Sequence, residues 1–134
     1  MEHSILYPMV AQGALVFSVL LLLLKRRLKA IYGGQAKLEY YKLFSGNGEP
    51  DDVTVVQRNF INQFEMPVLF FVVCIMAAVF DKADNVMIYA AWAYVALRVL
   101  HAFVHIVKND VLTRFRVYFA GNAVLGFMWI WVAL

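Results

Sequence analysis

The chain has 134 residues, of which 63% are hydrophobic and 16% charged, whereas a soluble domain averages about 45 to 50% apolar residues. That composition excludes an ordinary soluble domain and fits a single membrane domain. The net charge of +3 does not argue for nucleic acid, because the basic residues flank apolar runs, where they set topology.

The first apolar run, Ile5 to Leu24, gives 20 residues without a charge, about the length a helix needs to cross a bilayer. Glu2 precedes it and Lys25-Arg26-Arg27-Leu28-Lys29 follows, the reverse of a signal peptide's charge order, so an uncleaved helix with its N-terminus outside is predicted. The one long connection, Gly33 to Asp52, carries turn chemistry at Gly33-Gly34 and across Ser45-Gly46-Asn47-Gly48-Glu49-Pro50. Met66 to Phe80 has only 15 apolar residues, but a helix beginning at Asp51-Asp52-Val53-Thr54 would lengthen it into a full span with an amphipathic foot. Pro67 is expected to kink that helix. Val86 to Val107 supplies the third span and Val117 to Leu134 the fourth. The spacing thus predicts an all-α, integral membrane four-helix bundle with spans at about 5–29, 53–80, 85–108 and 111–133. Six of the basic residues, from Lys25 to Lys42, lie between spans one and two, and Lys108, Arg114 and Arg116 lie between three and four. Both connections are therefore predicted to be cytoplasmic, with N-out and C-out termini. Cys74 stands alone in an apolar run, so no internal disulfide can form.

Polar residues beside or within these runs locate a candidate site. Arg58, Asn62 and Glu65 follow i, i+4, i+7 spacing, which places a cation, an amide and a carboxylate on one helical face. Arg98, His101 and His105 follow i, i+3, i+7 spacing on span three, with Tyr94 one turn earlier. Arg26 ends span one, and Arg114 and Tyr118 open span four. All four spans would contribute to one layer near the cytoplasmic face. Such groups are costly beside hydrocarbon unless they meet partners or a ligand. An internal ion pair from Glu65 to Arg58 or Arg98 is the plainest alternative, yet one carboxylate cannot balance four arginines. A metal on His101 and His105 is disfavoured by those same arginines and by the lack of further ligands nearby. A proton relay lacks the chain of acids or the broken helix pairs such transporters use.

In these motifs the chain resembles the membrane-associated proteins in eicosanoid and glutathione metabolism, the MAPEG family, which includes microsomal glutathione transferases and the glutathione-dependent prostaglandin E and leukotriene synthases. The likeness covers nearly the whole sequence, and the spacing in spans two to four resembles the prostaglandin E synthase branch most. The resemblance implies a homotrimer of four-helix bundles with glutathione between subunits near the cytoplasmic face. It implies that Arg26, Arg58, Asn62, Glu65, Arg98, His101, His105 and Tyr118 bind the cofactor, with Glu65 toward its amino group and Arg58 toward a carboxylate. Arg114 matches the arginine that stabilises the glutathione thiolate, the catalytic role. The sequence departs from the pattern at His105, where catalytic relatives generally carry tyrosine. A glutathione transferase or peroxidase acting on lipophilic electrophiles or lipid hydroperoxides is expected, in a bacterial inner membrane. A non-catalytic trimeric protein that binds an anionic ligand or a partner helix through the same basic layer is the alternative.

Overall fold

The computed structural model describes residues 2–46 and 48–134; Met1 and Asn47, the latter within the predicted Ser45–Pro50 turn, lie outside them. Among the described residues there is no strand. The helices are α1 (Glu2–Tyr32), the short α2 (Tyr40–Leu43), α3 (Asp51–Asn62), α4 (Met66–Val79), α5 (Asn85–Phe103) and α6 (Val111–Ala133). Four segments, Ser4–Tyr32, Asp51–Val79, Asn85–Lys108 and Val111–Ala133, are long and apolar enough to cross a membrane.

At a rise of about 1.5 Å per residue, α1 exceeds the roughly 30 Å of bilayer hydrocarbon. Its surplus carries the Lys25–Lys29 cluster past the apolar zone. The second span differs from the single kinked helix expected of it. α3 and α4 are separate, and Gln63 to Glu65 between them are not helical. Pro67 explains the break: it has no N–H for the carbonyl of Gln63, and its ring would collide with that carbonyl. The chain responds one turn upstream, where Phe64 and Glu65 donate to Ile61 and Asn62, three residues back instead of four. Pro67 then sits in the first turn of α4, where a missing N–H costs nothing.

Two apolar clusters hold the bundle. Towards the chain termini, Phe70, Val73, Cys74 and Ala77 of α4 pack with Met87, Ala91 and Tyr94 of α5 and Leu125 and Met128 of α6; the Phe70 ring stacks on Tyr94 at 4.6 Å. Towards the long loop, Val19, Leu23 and Ala30 of α1 pack on Val53 and Val56 of α3. Between the two clusters lies a layer of buried polar side chains: Gln12, Asn59, Gln63, Arg98, His101 and His105. Phe17, Leu21, Phe119 and Ile130 are exposed on the outside, as side chains facing lipid or a neighbouring chain must be.

Asp84 caps α5 by accepting from the Met87 N–H at 2.8 Å and ties α6 to it by accepting from Trp131 Nε1 at 3.1 Å. At the opposite end Arg27 grips Glu49 through Nε and Nη2, at 3.0 Å for the closest contact. Its guanidinium also lies over the Tyr41 ring, 5.4 Å from the centroid. Burial first, and Glu49 second, push the Tyr41 hydroxyl pKa up against the opposing pull of Arg27, so the ring stays neutral beneath the cation. This pin fastens the 33–50 loop to α1. Arg27→Ala leaves the Glu49 carboxylate without its partner in a part-buried pair, which destabilises the loop's attachment. Limited proteolysis is expected to cut that loop faster in the variant while the spans remain protected; equal cleavage rates would show that the pin does not order it.

Candidate functional site

A cavity of about 470 Å³ opens beside the polar layer, lined by Arg58, Ile61, Asn62, Glu65, His101, His105, Val111, Arg114, Phe115 and Tyr118. Three spans build it. α3 supplies Arg58 and Asn62, and the break that follows supplies Glu65. Glu65 thus reaches the cavity from the interruption and not along a continuous helical face, with φ −91° and ψ −109°.

α5 supplies His101, and a π-helical turn over Val104–Lys108 supplies His105. Such turns are rare and insert one extra residue into a helix, which re-aims the side chains around them. The turn ends at Asn109, whose left-handed conformation (φ 47°) asparagine tolerates better than most residues. Asn109 then accepts from Arg114 Nη1 at 3.1 Å, which tethers that guanidinium near the mouth. Tyr118 follows one turn along α6, with its ring 5.5 Å from His101. Asp110, fully exposed before α6, accepts from the Thr113 hydroxyl, and that hydrogen bond holds its carboxyl below the usual range. It therefore stays ionised near the otherwise basic mouth.

Two predicted site residues stand elsewhere. Arg98 does not line the cavity; it lies behind it, 2% exposed, and donates through Nη2 to Asn62 Oδ1 at 2.6 Å. Asn62 in turn donates to Glu65 Oε2 at 3.3 Å, so the asparagine bridges a buried cation to an exposed carboxylate. The Nε and Nη1 of Arg98 have no protein partner among the described residues. Arg26 is further removed. It donates to the Asp52 carbonyl at 2.7 Å and lines a different cavity with Leu22, Lys25, Lys29 and Asp52. Within one chain the cavity therefore gathers residues from spans two, three and four, without span one's arginine.

The charge balance is one-sided. Among the described residues Arg27 with Glu49 is the only ion pair, and Glu65 pairs with neither Arg58 nor Arg98. The cavity presents the cations Arg58 and Arg114, with Arg98 behind, against the single carboxylate of Glu65. Arg98 is the buried one of the three, whereas Arg58 is exposed and Arg114 half-buried, so the cavity offers excess positive charge at an open surface, which attracts anions. A pocket of this volume lies within the range of small-molecule sites.

Asn59, Gln63 and Gln12 belong to the same layer and were not anticipated. Gln12 Nε2 donates to Gln63 Oε1 (3.1 Å), Gln63 Nε2 to Asn59 Oδ1 (3.1 Å), and Asn59 Nδ2 lies 3.2 Å from His105 Nδ1. The signal was present: Gln12 is a polar residue in the middle of the first apolar run, and Asn59 and Gln63 form a second i, i+4 stripe adjoining that of Arg58 and Asn62.

The fold and cavity together define a small four-span helical membrane protein with a cationic, histidine-bearing pocket between its second, third and fourth spans. The family model of the MAPEG family matches residues 5–134, and the chain belongs to that family. No curated protein and no solved structure matches it.

Proposed function

We propose that the protein is a glutathione-dependent membrane transferase or peroxidase that acts on lipophilic electrophiles or lipid hydroperoxides. The observation that carries this reading is the cavity's unbalanced charge, with two guanidiniums and one free carboxylate facing the same space. Glutathione has the complementary set: two carboxylates, one ammonium group and a thiol. Arg58 would take a carboxylate through a two-pronged contact, and Glu65 the ammonium group. His101, His105 and Tyr118 would close the walls. Arg114 would stand by the sulfur. A free thiol is mostly protonated at neutral pH, and a guanidinium in a low-dielectric site favours the anion that attacks.

A homotrimer belongs to this reading through the family, and it gives Arg26 a place in the site. Arg26 cannot complete the cavity from within its own chain, since it lines a separate one, so its part in the site would be played against a neighbouring subunit. Charge around the spans favours the cytoplasmic side for the pocket, by the excess of Lys and Arg in the two connections at that end. A bacterial inner membrane is the setting we assign, with lipophilic substrate entering laterally from lipid.

The test is calorimetric titration of the detergent-purified protein with glutathione. Saturable binding at one site per chain, competed by S-alkyl glutathione, is expected. Absence of binding overturns the proposal. Binding without turnover of an aryl halide or a lipid hydroperoxide leaves a ligand-binding protein and overturns the enzymatic part.

A further inference from the structure

The amides of Gln12, Gln63 and Asn59 form one directional chain, in which Gln12 donates through its nitrogen to the Gln63 oxygen and Gln63 likewise to the Asn59 oxygen, and it ends on His105 Nδ1. The three amides are entirely buried or nearly so, with Gln12 and Asn59 at 0% exposure and Gln63 at 2%. A ring nitrogen that accepts a hydrogen bond carries no proton, so the direction of the chain determines the tautomer of the imidazole. The reverse direction has the same distances, with every amide turned over and Nδ1 donating. Gln12 separates the two. Its Oε1 is buried without a partner among the described residues, and reversal would put an amine with two protons in that place. An orphaned oxygen brings no proton to satisfy and is the less costly defect.

We propose that Gln12, Gln63 and Asn59 are positioning residues that hold His105 as the Nε2–H tautomer, so that it donates a hydrogen bond into the cavity to the anionic sulfur of a thiol ligand. His105 lines the cavity, and with Nδ1 committed to Asn59 the nitrogen left for a ligand is Nε2. The other tautomer would present a lone pair to an anion and repel it. The titratable groups that line the cavity with His105 are Arg58 of α3, Glu65 of the break after it, His101 of α5 and Arg114 and Tyr118 of α6. The role of His105 is thus to add a neutral donor beside the two guanidiniums of the cavity, Arg58 and Arg114. The identity of the ligand rests on the glutathione reading; the tautomer does not.

The experiment is 15N NMR of protein labelled in its histidine rings, with the His105 signals assigned by their loss in His105→Gln. Wild type is expected to show His105 protonated at Nε2 and bare at Nδ1. Asn59→Asp, an isosteric change, supplies an acceptor in place of the amine and is expected to move the proton to Nδ1. Gln12→Met removes the far anchor without touching the histidine and is expected to give a mixture of tautomers, which provides a reading if the aspartate variant does not fold. With glutathione bound, thiolate absorbance at neutral pH is expected to fall about tenfold in Asn59→Asp, the worth of one hydrogen bond to a charged group, while affinity stays within a few-fold. A wild-type ring protonated at Nδ1, or a tautomer unmoved by either variant, overturns the proposal. If the tautomers behave as expected but the thiolate signal does not change, His105 does not face the sulfur and that part is wrong. If glutathione fails to bind wild type, the functional reading falls and the tautomer measurement still decides the chain.

Discussion

Arg114→Ala is expected to slow conjugation of a chromogenic aryl halide by about 10² to 10³ while glutathione affinity stays within a few-fold of wild type. Arg114 lines the cavity and is half-buried there, and its tether to Asn109 holds the guanidinium in place before any ligand arrives. A contact formed mainly with the thiolate stabilises the reacting species more than the bound thiol, so its loss appears in kcat and not in binding. Arg116 is the internal control: it lies about 200° further around the helix, is exposed and does not line the cavity. Arg116→Ala should retain full activity. Full activity in Arg114→Ala, or a loss in Arg116→Ala alone, would remove Arg114 from the catalytic role.

Glu65→Gln is expected to weaken glutathione binding by roughly 10- to 100-fold, the usual worth of a hydrogen bond to a charged group, with no loss of the folded protein. The geometry separates this outcome from a structural one. Glu65 is exposed and makes no ion pair, so neutralising it strands no buried cation. The glutamine oxygen can still accept from Asn62 Nδ2, which keeps the bridge to Arg98 intact. Titration calorimetry and size-exclusion chromatography together decide the matter. Unchanged affinity would mean that the carboxylate faces no ammonium group, and aggregation or unfolding of the variant would mean that Glu65 holds the fold.

The four spans were legible because their signal is bulk hydropathy, which needs no partner to be read. The polar stripes of Arg58, Asn62 and Glu65 and of Arg98, His101 and His105 were legible as helical spacings, and one cavity gathers all of them except Arg98. The break at Gln63–Glu65 was harder to see. Pro67 marked a disturbance, but whether a helix kinks or divides depends on whether the released groups find new partners, and here Phe64 and Glu65 find them three residues back. That Arg26 does not reach the cavity of its own chain was hidden for another reason. Depth along a span can be counted from sequence, whereas rotation about it follows from packing, and α1 turns Arg26 towards Asp52. The amide chain escaped notice because Gln12 and Gln63 are 51 residues apart, and no local pattern links them.

The buried polar layer also bears on how the chain enters the membrane during synthesis. A charged residue near the centre of a span costs about 2.5 to 3.5 kcal/mol on insertion, so the third span, with Arg98, is the reluctant one. Its partner is made first: Asn62, which receives the Arg98 guanidinium, and Asn59, which meets His105, belong to the preceding span. By the time the arginine leaves the ribosome, the groups that satisfy it can already be in the bilayer, and the third span can insert against them as a hairpin with the second instead of alone.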